Sequence, residues 1–322
     1  MFLGRYEIKE KIDQTSNSVI YLAHDAEEDR PVCVKVNRHD SPIAKSAMEA
    51  AKILKTLSHD HICKIYDFGM EDGAFYTIME YIPGTNLEKI LKEKGVFSEK
   101  EVVEVGKQML CVLTYLHSLS QPVIYRDMKP ANIIKGEDGM YHLVDFDIAR
   151  QYSAAKKEDT TLLGSRGYAA PEQKKKTQTD PRADQWGVGM TMHALITGKR
   201  PYEPPYEMYP AIHFNPSVSP ALSKIIEKAT SIDPADRFGS VDEFFNRLKS
   251  FKEDERAERK KKKVRSGIVT LAVTAALIIA AVIIIKVYTN SLESEGYEVS
   301  FGIFDSFIER IKQIGASPTW GE

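Results

Sequence analysis

The residues able to do chemistry fall mainly in one stretch of the chain. Tyr125-Arg126-Asp127-Met128-Lys129-Pro130-Ala131-Asn132-Ile133 brings together a carboxylate, an amine and a carboxamide. Val144-Asp145-Phe146-Asp147 adds two more carboxylates, with Asp145 eighteen residues after Asp127. Such oxygens are hard donors for a divalent cation, and a positioned carboxylate can move a proton. Three more polar runs follow: Gly164-Ser165-Arg166-Gly167-Tyr168-Ala169-Ala170-Pro171-Glu172, Ala183-Asp184-Gln185-Trp186-Gly187-Val188-Gly189 and Asp233-Pro234-Ala235-Asp236-Arg237. Elsewhere the chemistry is thinner. His59-Asp60-His61 offers two imidazoles without a third ligand and reads as loop and strand. Cys33, Cys63 and Cys111 lack Cys-x-x-Cys spacing, which argues against a disulfide framework or a thiolate zinc site; they read as packed thiols.

In this order and spacing the set resembles the eukaryotic-like (Hanks-type) Ser/Thr protein kinases, most closely their membrane-anchored bacterial branch, over about residues 5–250. The resemblance implies an α+β, two-lobed protein kinase fold, with a small β-rich lobe and a large helical lobe. It also implies ATP as donor and Ser/Thr hydroxyls of proteins as acceptors. That transfer requires a cation clamp on the phosphates, a group to orient the attacking hydroxyl and exclusion of water. By resemblance, Asp145 and Asn132 ligate Mg²⁺, with Mn²⁺ as the alternative ion. Asp127 takes the hydroxyl proton, and Lys129 neutralises the transferring phosphoryl group. Lys35, in Val32-Cys33-Val34-Lys35, matches the lysine that pairs the α/β-phosphates. Its expected helix partner is Glu49, one residue further from His59 than the family spacing, where Ala50 stands. Met79-Glu80-Tyr81-Ile82 matches the hinge against adenine. There Met79 backs the pocket and the Glu80 and Ile82 backbones bond the base edge, while Ile12, Val19 and Val34 form apolar walls.

Arg126 beside Asp127 implies control by autophosphorylation, with Thr160 and Thr161 as the expected sites and Ser165 supporting Asp127 and Lys129. Glu172 and Arg237 match the family's buried ion pair, and Asp184 its brace under the catalytic loop. Two positions depart from the pattern. Asp13, Thr15 and Ser18 fill the three glycine positions of the phosphate-binding loop, where a missing Cβ lets backbone N–H groups approach phosphate. Asp147 stands where the Asp-Phe-Gly motif has glycine. Because of these departures, a pseudokinase acting as a nucleotide-binding scaffold at the membrane is the alternative reading. A small-molecule phosphotransferase is a third, disfavoured by the protein-docking character of Gly164–Glu172.

The elements that must position these residues are legible in outline. Val19–Ala23, Pro31–Val36, Ile62–Phe68, Phe75–Tyr81 and Tyr141–Val144 read as strands, and Asp25–Arg30 as a turn. Ala44–Leu57 has helical periodicity behind Ser41 and Pro42. Thr85-Asn86-Leu87-Glu88, Ser98-Glu99-Lys100-Glu101 and Ser240-Val241-Asp242-Glu243 have capping-box spacing, while Asp180-Pro181 and Ser219-Pro220 are cap-then-proline starts.

The whole chain has 322 residues, 43% of them hydrophobic and 28% charged, enough to bury a core of about two domains. A net charge of −2 argues against a nucleic-acid partner. The first residues lack the basic and apolar runs of a signal peptide. Residues 251–265 carry eight basic and four acidic side chains, and 267–285 carry none. The uncharged run makes a helix of roughly 28 Å, close to the hydrocarbon thickness of a bilayer. Its eleven Ile, Val and Leu residues contribute about −3 to −7 kcal/mol to insertion. The basic run before the span directs residues 1–265 to the cytoplasm, where it meets anionic lipid headgroups, and directs the tail outside. The expected organisation is thus a small lobe over 1–82, a large lobe over 83–250 and a basic juxtamembrane segment over 251–266. A transmembrane helix over 267–287 and a short extracytoplasmic tail over 288–322 complete a single-pass plasma-membrane protein. In the tail, the spacing of Phe301, Phe304, Phe307, Ile308, Ile311 and Ile314 fits a short amphipathic helix.

Overall fold

The structure is a computed structural model describing residues 4–15, 18–37, 48, 50–71, 73–151, 165–174, 179–201 and 209–294, together with 302, 306 and 310. The chain divides into two compact units, Met1–Glu255 and Arg256–Glu322.

The first unit begins with strands rich in β-branched and aromatic residues, which favour a pleated, half-buried surface. β1 (Tyr6–Gln14), β2 (Ser18–Asp25), β3 (Arg30–Asn37), β4 (Ile65–Glu71) and β5 (Ala74–Glu80) form one antiparallel sheet in the order β1-β2-β3-β5-β4. β1 was not evident in the sequence: only Tyr6 is buried along it, as an edge strand permits. The run Ile62–Phe68 becomes a strand only from Ile65, while Ile62 bridges to Leu143 across the domain. Helical residues 50–54 place Ala51 against Phe75 on one face of the sheet.

Beyond the hinge the pattern turns helical. β6 (Gly84–Asn86) leads into the Leu87–Lys94 helix, which is capped by Asn86 accepting from the Lys89 N–H. The start therefore lies one residue past the Thr85 expected as cap, and Asn is as good a cap as Thr or better. Ser98 and Glu101 do form a reciprocal capping box on the Glu99–Ser118 helix. Ser219 caps Pro220–Ala229. At Ser240, only half the box forms: Ser240 Oγ accepts from Glu243 N, but the Glu243 carboxylate turns to Gly239 N. One core joins the Glu99–Ser118 and Arg182–Thr197 helices to Leu222, Ile226, Phe244 and Leu248. The short strands β7 (Val123–Ile124), β8 (Ile133–Gly136), β9 (Tyr141–Leu143) and β10 (Arg150–Gln151) hold the loops that carry the polar motifs.

Two glycines of the Asp184–Gly189 motif allow close packing on the Arg182–Thr197 helix. A Cβ on Gly187 would lie 2.7 Å from Met128 in the loop carrying Asp127, and one on Gly189 would lie 2.7 Å from Thr230. The helix therefore packs backbone-close against that loop.

The final helix, Val241–Ser294, includes the basic run. Its N-terminal residues Val241, Phe244, Leu248 and Phe251 belong to the core of the first unit. Within the second unit, Ser266–Ser291 is long and apolar enough to cross a membrane, with a mean hydropathy of 3.0. Of the expected tail helix, residues 302, 306 and 310 are helical.

Candidate active site

Lys35 sits on the central strand β3, cross-strand from Ile20 on β2 and Thr77 on β5. It is 3% exposed, and its Nζ lies 2.6 Å from both Asp145 Oδ1 and Asp147 Oδ2. A buried ammonium is costly unless paired. Here burial opposes protonation, but the two carboxylates outweigh it and raise the Lys35 pKa. Asp145 is half-buried, and against the opposing effect of that burial Lys35 holds its carboxyl below the usual range. Asp147 moves the other way, to about 6, because burial and the neighbouring Asp145 charge both disfavour a second anion.

Asp127 lies in the loop after β7, and its carboxylate is held on both sides. Oδ2 accepts from Lys129 Nζ at 2.7 Å and Asn132 Nδ2 at 2.9 Å. Oδ1 accepts from Ser165 Oγ at 2.7 Å, while Lys129 Nζ donates to that hydroxyl at 2.6 Å. Ser165 thus supports both residues, as the resemblance implied. Asn132 Nδ2 also reaches the Asp127 carbonyl at 3.0 Å, and the Asn132 carbonyl accepts from Val144 N at 3.0 Å. These bonds join the Asp127 loop directly to the segment entering Asp145.

The loops are braced from below. Asp184, with a fully buried side chain, accepts from the backbone N–H groups of Tyr125 at 2.9 Å and Arg126 at 2.7 Å, and contacts His117 Nε2 at 2.8 Å. Gln173 donates to the Arg126 carbonyl at 3.0 Å. Between these anchors Arg126 adopts φ 71°, a left-handed conformation uncommon for a residue with a Cβ. Asp145 has φ 61°, and the Val144 carbonyl before it accepts from Tyr125 Oη at 2.7 Å. Phe146 packs edge-on to the Tyr125 ring, 4.8 Å between centroids. Arg237 and Glu172 form the expected ion pair, with bonds of 2.6 and 2.9 Å and the Arg237 side chain fully buried.

The nucleotide pocket requires two corrections. Directly paired residues on neighbouring antiparallel strands share a face. Lys35 therefore shares its face with Ile20 and Thr77, and Cys33 joins them two residues back, paired with Leu22 and Met79. Val34 is fully buried on the opposite face with Tyr6, Val32 and Ile78, and Val19 pairs with Val36 on that same side. The expected walls Val19 and Val34 are each one residue out of register, and a one-residue shift reverses the face. Ile20 and Cys33, not Val19 and Val34, share the face of Lys35. The signal was available: alternation counted from Lys35 selects Cys33. Ile12 is 47% exposed in the irregular stretch of β1. Met79 and Thr77 line a small cavity with Lys35, Leu54 and Phe146. The Glu80 N–H donates to the Lys64 carbonyl at 2.9 Å, and the Glu80 carbonyl accepts from Cys63 Sγ at 3.4 Å. Ile82 is half-buried beyond it.

The loop expected to carry glycines is closed by hydroxyls instead. Thr15 N donates to the Ser18 carbonyl at 2.9 Å, Ser18 N donates to Thr15 Oγ1 at 3.0 Å, and the two hydroxyls lie 3.0 Å apart. Asp13 Oδ1 accepts from Gln14 N at 2.7 Å. Glu49, Thr160 and Thr161 lie outside the described residues. Cys63 is buried, and burial raises its thiol pKa as it does that of Cys33, which reaches about 12. Cys111 is exposed rather than packed, with Sγ 3.8 Å from His59. Among the described residues there is no group of three or more His, Cys, Asp or Glu side chains placed to hold a metal ion.

Residues 6–248 match the protein kinase domain model. This chain belongs to the protein kinase family. It is 28% identical to the serine/threonine-protein kinase PrkC of Bacillus subtilis, over 80% of this chain and 42% of that protein. It is 30% identical to PknL of Mycobacterium tuberculosis, over 74% of this chain and 63% of that protein. The chain thus spans about two fifths of the length of PrkC and its clostridial relatives. Among solved structures, the PknI kinase domain of Mycobacterium tuberculosis superposes with a TM-score of 0.64 at 25% identity, covering 76% of this chain and 96% of that one. The two-lobed kinase fold is thereby shown, with its β-sheet lobe and helical lobe.

Proposed function

We propose that this kinase domain transfers the γ-phosphate of ATP to Ser/Thr hydroxyls of proteins, from a position anchored at a membrane. The observation that carries the reading is the bonded set Asp127–Lys129–Ser165–Asn132, linked through Val144 to Asp145 and Lys35. Asp127 orients the acceptor hydroxyl and takes its proton. Lys129, bonded to Asp127 and Ser165, offsets charge on the phosphoryl group in flight. Lys35 engages the α/β-phosphates. Because Asn132 directs its side-chain N–H groups to Asp127, its side-chain Oδ1 is left for a cation, and the Asp145 carboxylate is the second hard donor. Such a donor set suits Mg²⁺ or Mn²⁺. The bound ion would neutralise the phosphates; Asn132 and Asp145 would hold it.

Full-length chain in detergent micelles, given labelled Mg-ATP, is expected to autophosphorylate on Ser/Thr. Asp127→Ala should lower transfer by roughly 10²–10⁴, the usual contribution of acid–base catalysis. Undiminished transfer by that variant would remove the assignment. The doubly held Lys35 favours the competing reading, a nucleotide-binding scaffold. That reading predicts thermal stabilisation by Mg-ATP without labelled product.

The apolar Ser266–Ser291 helix supports the membrane anchor, and the basic residues preceding it support a cytoplasmic kinase domain with the tail outside. Protease protection in inverted vesicles tests the orientation: the kinase domain should be digested and the tail protected.

A further inference from the structure

Beside the Asp127 set lies a second cleft of about 280 Å³, lined by Glu88, Lys129, Ser165, Arg166 and Tyr168. Its placement follows from Ser165, which touches both Asp127 and Lys129, so the cleft opens next to where an acceptor hydroxyl is oriented. The segment forming its wall is ordered. Tyr168 N and Ala169 N both donate to the Ser165 carbonyl, at 3.1 and 2.9 Å, and Tyr168 is buried. Gly167, at φ 83°, comes so close to Pro201 that a Cβ would lie 2.8 Å from its ring. The turn is thereby fixed, and Arg166 stands exposed on it.

The charges in this cleft are unequal. Its carboxylate, Glu88, is already countered by Arg200 at 3.0 Å and Lys92 at 3.5 Å. Lys129 is countered by Asp127 at 2.7 Å. Arg166 has neither ion pair nor hydrogen bond among the described residues. A guanidinium lining a cleft whose one carboxylate, Glu88, is taken up by Arg200 and Lys92 is a ready donor to an incoming carboxylate.

From this we infer that Arg166 is a specificity-determining residue, selecting protein substrates with an acidic side chain close to the acceptor Ser or Thr. Consecutive Cα atoms are about 3.8 Å apart, and Arg166 directly follows Ser165. The acidic residue therefore falls within about two positions of the acceptor. Arg166 acts by ground-state recognition: it binds the peptide and takes no part in proton or phosphoryl movement. The inference rests on the proposed protein kinase reading.

The test uses full-length chain in detergent micelles and peptides differing only by Asp, Asn or Lys at each position flanking one Thr. The wild type should favour Asp over Asn at one position by about two- to fivefold in kcat/KM, the scale of a solvent-exposed charge pair. Arg166→Gln should abolish that preference, and Arg166→Glu should transfer it to Lys at the same position. Retention of the Asp preference in Arg166→Glu, or no preference at any position in the wild type, would overturn the inference. Fluorescence anisotropy with the same peptides reads the cleft independently of transfer. If the chain transfers no phosphate, the kinase reading fails, while charge-dependent binding reversed by Arg166→Glu would still support the cleft; binding indifferent to peptide charge would overturn it.

Discussion

At the scale of single residues, Asp147 is the departure with the clearest physical effect. Glycine at this position has no side chain, whereas Asp147 brings a second carboxylate to Lys35 at 2.6 Å. Two anions on one ammonium leave less of its charge for the phosphates, and the extra carboxylate lies beside the site of a highly anionic ligand. Asp147→Asn should therefore lower the ATP KM by about three- to tenfold, because charge within a few ångströms of the phosphates is removed. Initial rates across an ATP titration check this; a raised KM would show that Asp147 assists binding. The clustering of Asp127, Lys129 and Asn132 was legible because one tight loop sets their spacing. The partnership of Lys35 with Asp147 was not legible, since it depends on the backbone at Asp145 adopting φ 61°.

At the scale of elements, strand register decides which residues can meet the nucleotide. Val19 and Val34 have the right chemistry for a pocket wall but lie on the face opposite Lys35, whereas Ile20 and Cys33 lie on its own face. Composition could not separate the two sets, because both faces of β3 are largely buried and alternation in hydrophobicity is lost. β1 escaped notice for the opposite reason: its apolar residues Tyr6, Ile8 and Ile12 are spread among charges, and only Tyr6 is buried. The β1–β2 connection leads to a second prediction. Replacing Asp13, Thr15 and Ser18 together by glycine removes the hydroxyl closure and three Cβ atoms. The Kd for ATP should fall, measured by calorimetry. An unchanged or higher Kd would mean that the hydroxyl-closed hairpin already fits phosphate. On the helix side, Gly187→Ala places a methyl group against Met128. It should cost about 1–3 kcal/mol by overpacking, and kcat should fall with the displaced loop. Denaturant unfolding gives the first quantity and steady-state kinetics the second.

At the scale of the whole molecule, acid sensitivity follows from buried charge. Arg5 grips the fully buried Asp25 side chain through bonds of 2.6 and 2.7 Å and holds its carboxyl below the ordinary aspartate range. A lowered folded-state pKa contributes stability above the unfolded value, about 4, and that stability disappears as pH falls through the folded value. His193 is buried, which lowers its pKa, so the fold also loses stability below about pH 6.5 as the unfolded imidazole takes up protons. Between pH 7 and 5 the His193 loss is opposed by Asp147, whose raised pKa of about 6 favours the fold on acidification, so the melting temperature should decline most steeply below pH 4. Arg5→Ala should be most damaging at neutral pH, with the gap to wild type narrowing on acidification as Asp25 becomes neutral. A gap independent of pH would show that Arg5 contributes by packing alone.

Asp184 leads to a different kind of conclusion. It grips the chain under Asp127 through main-chain amides, which every residue but proline possesses. The grip therefore makes no demand on the Tyr125 or Arg126 side chains; Tyr125 is constrained separately, by its Oη bond to the Val144 carbonyl and its ring against Phe146. What heredity must protect at this point of the backbone is the grip itself.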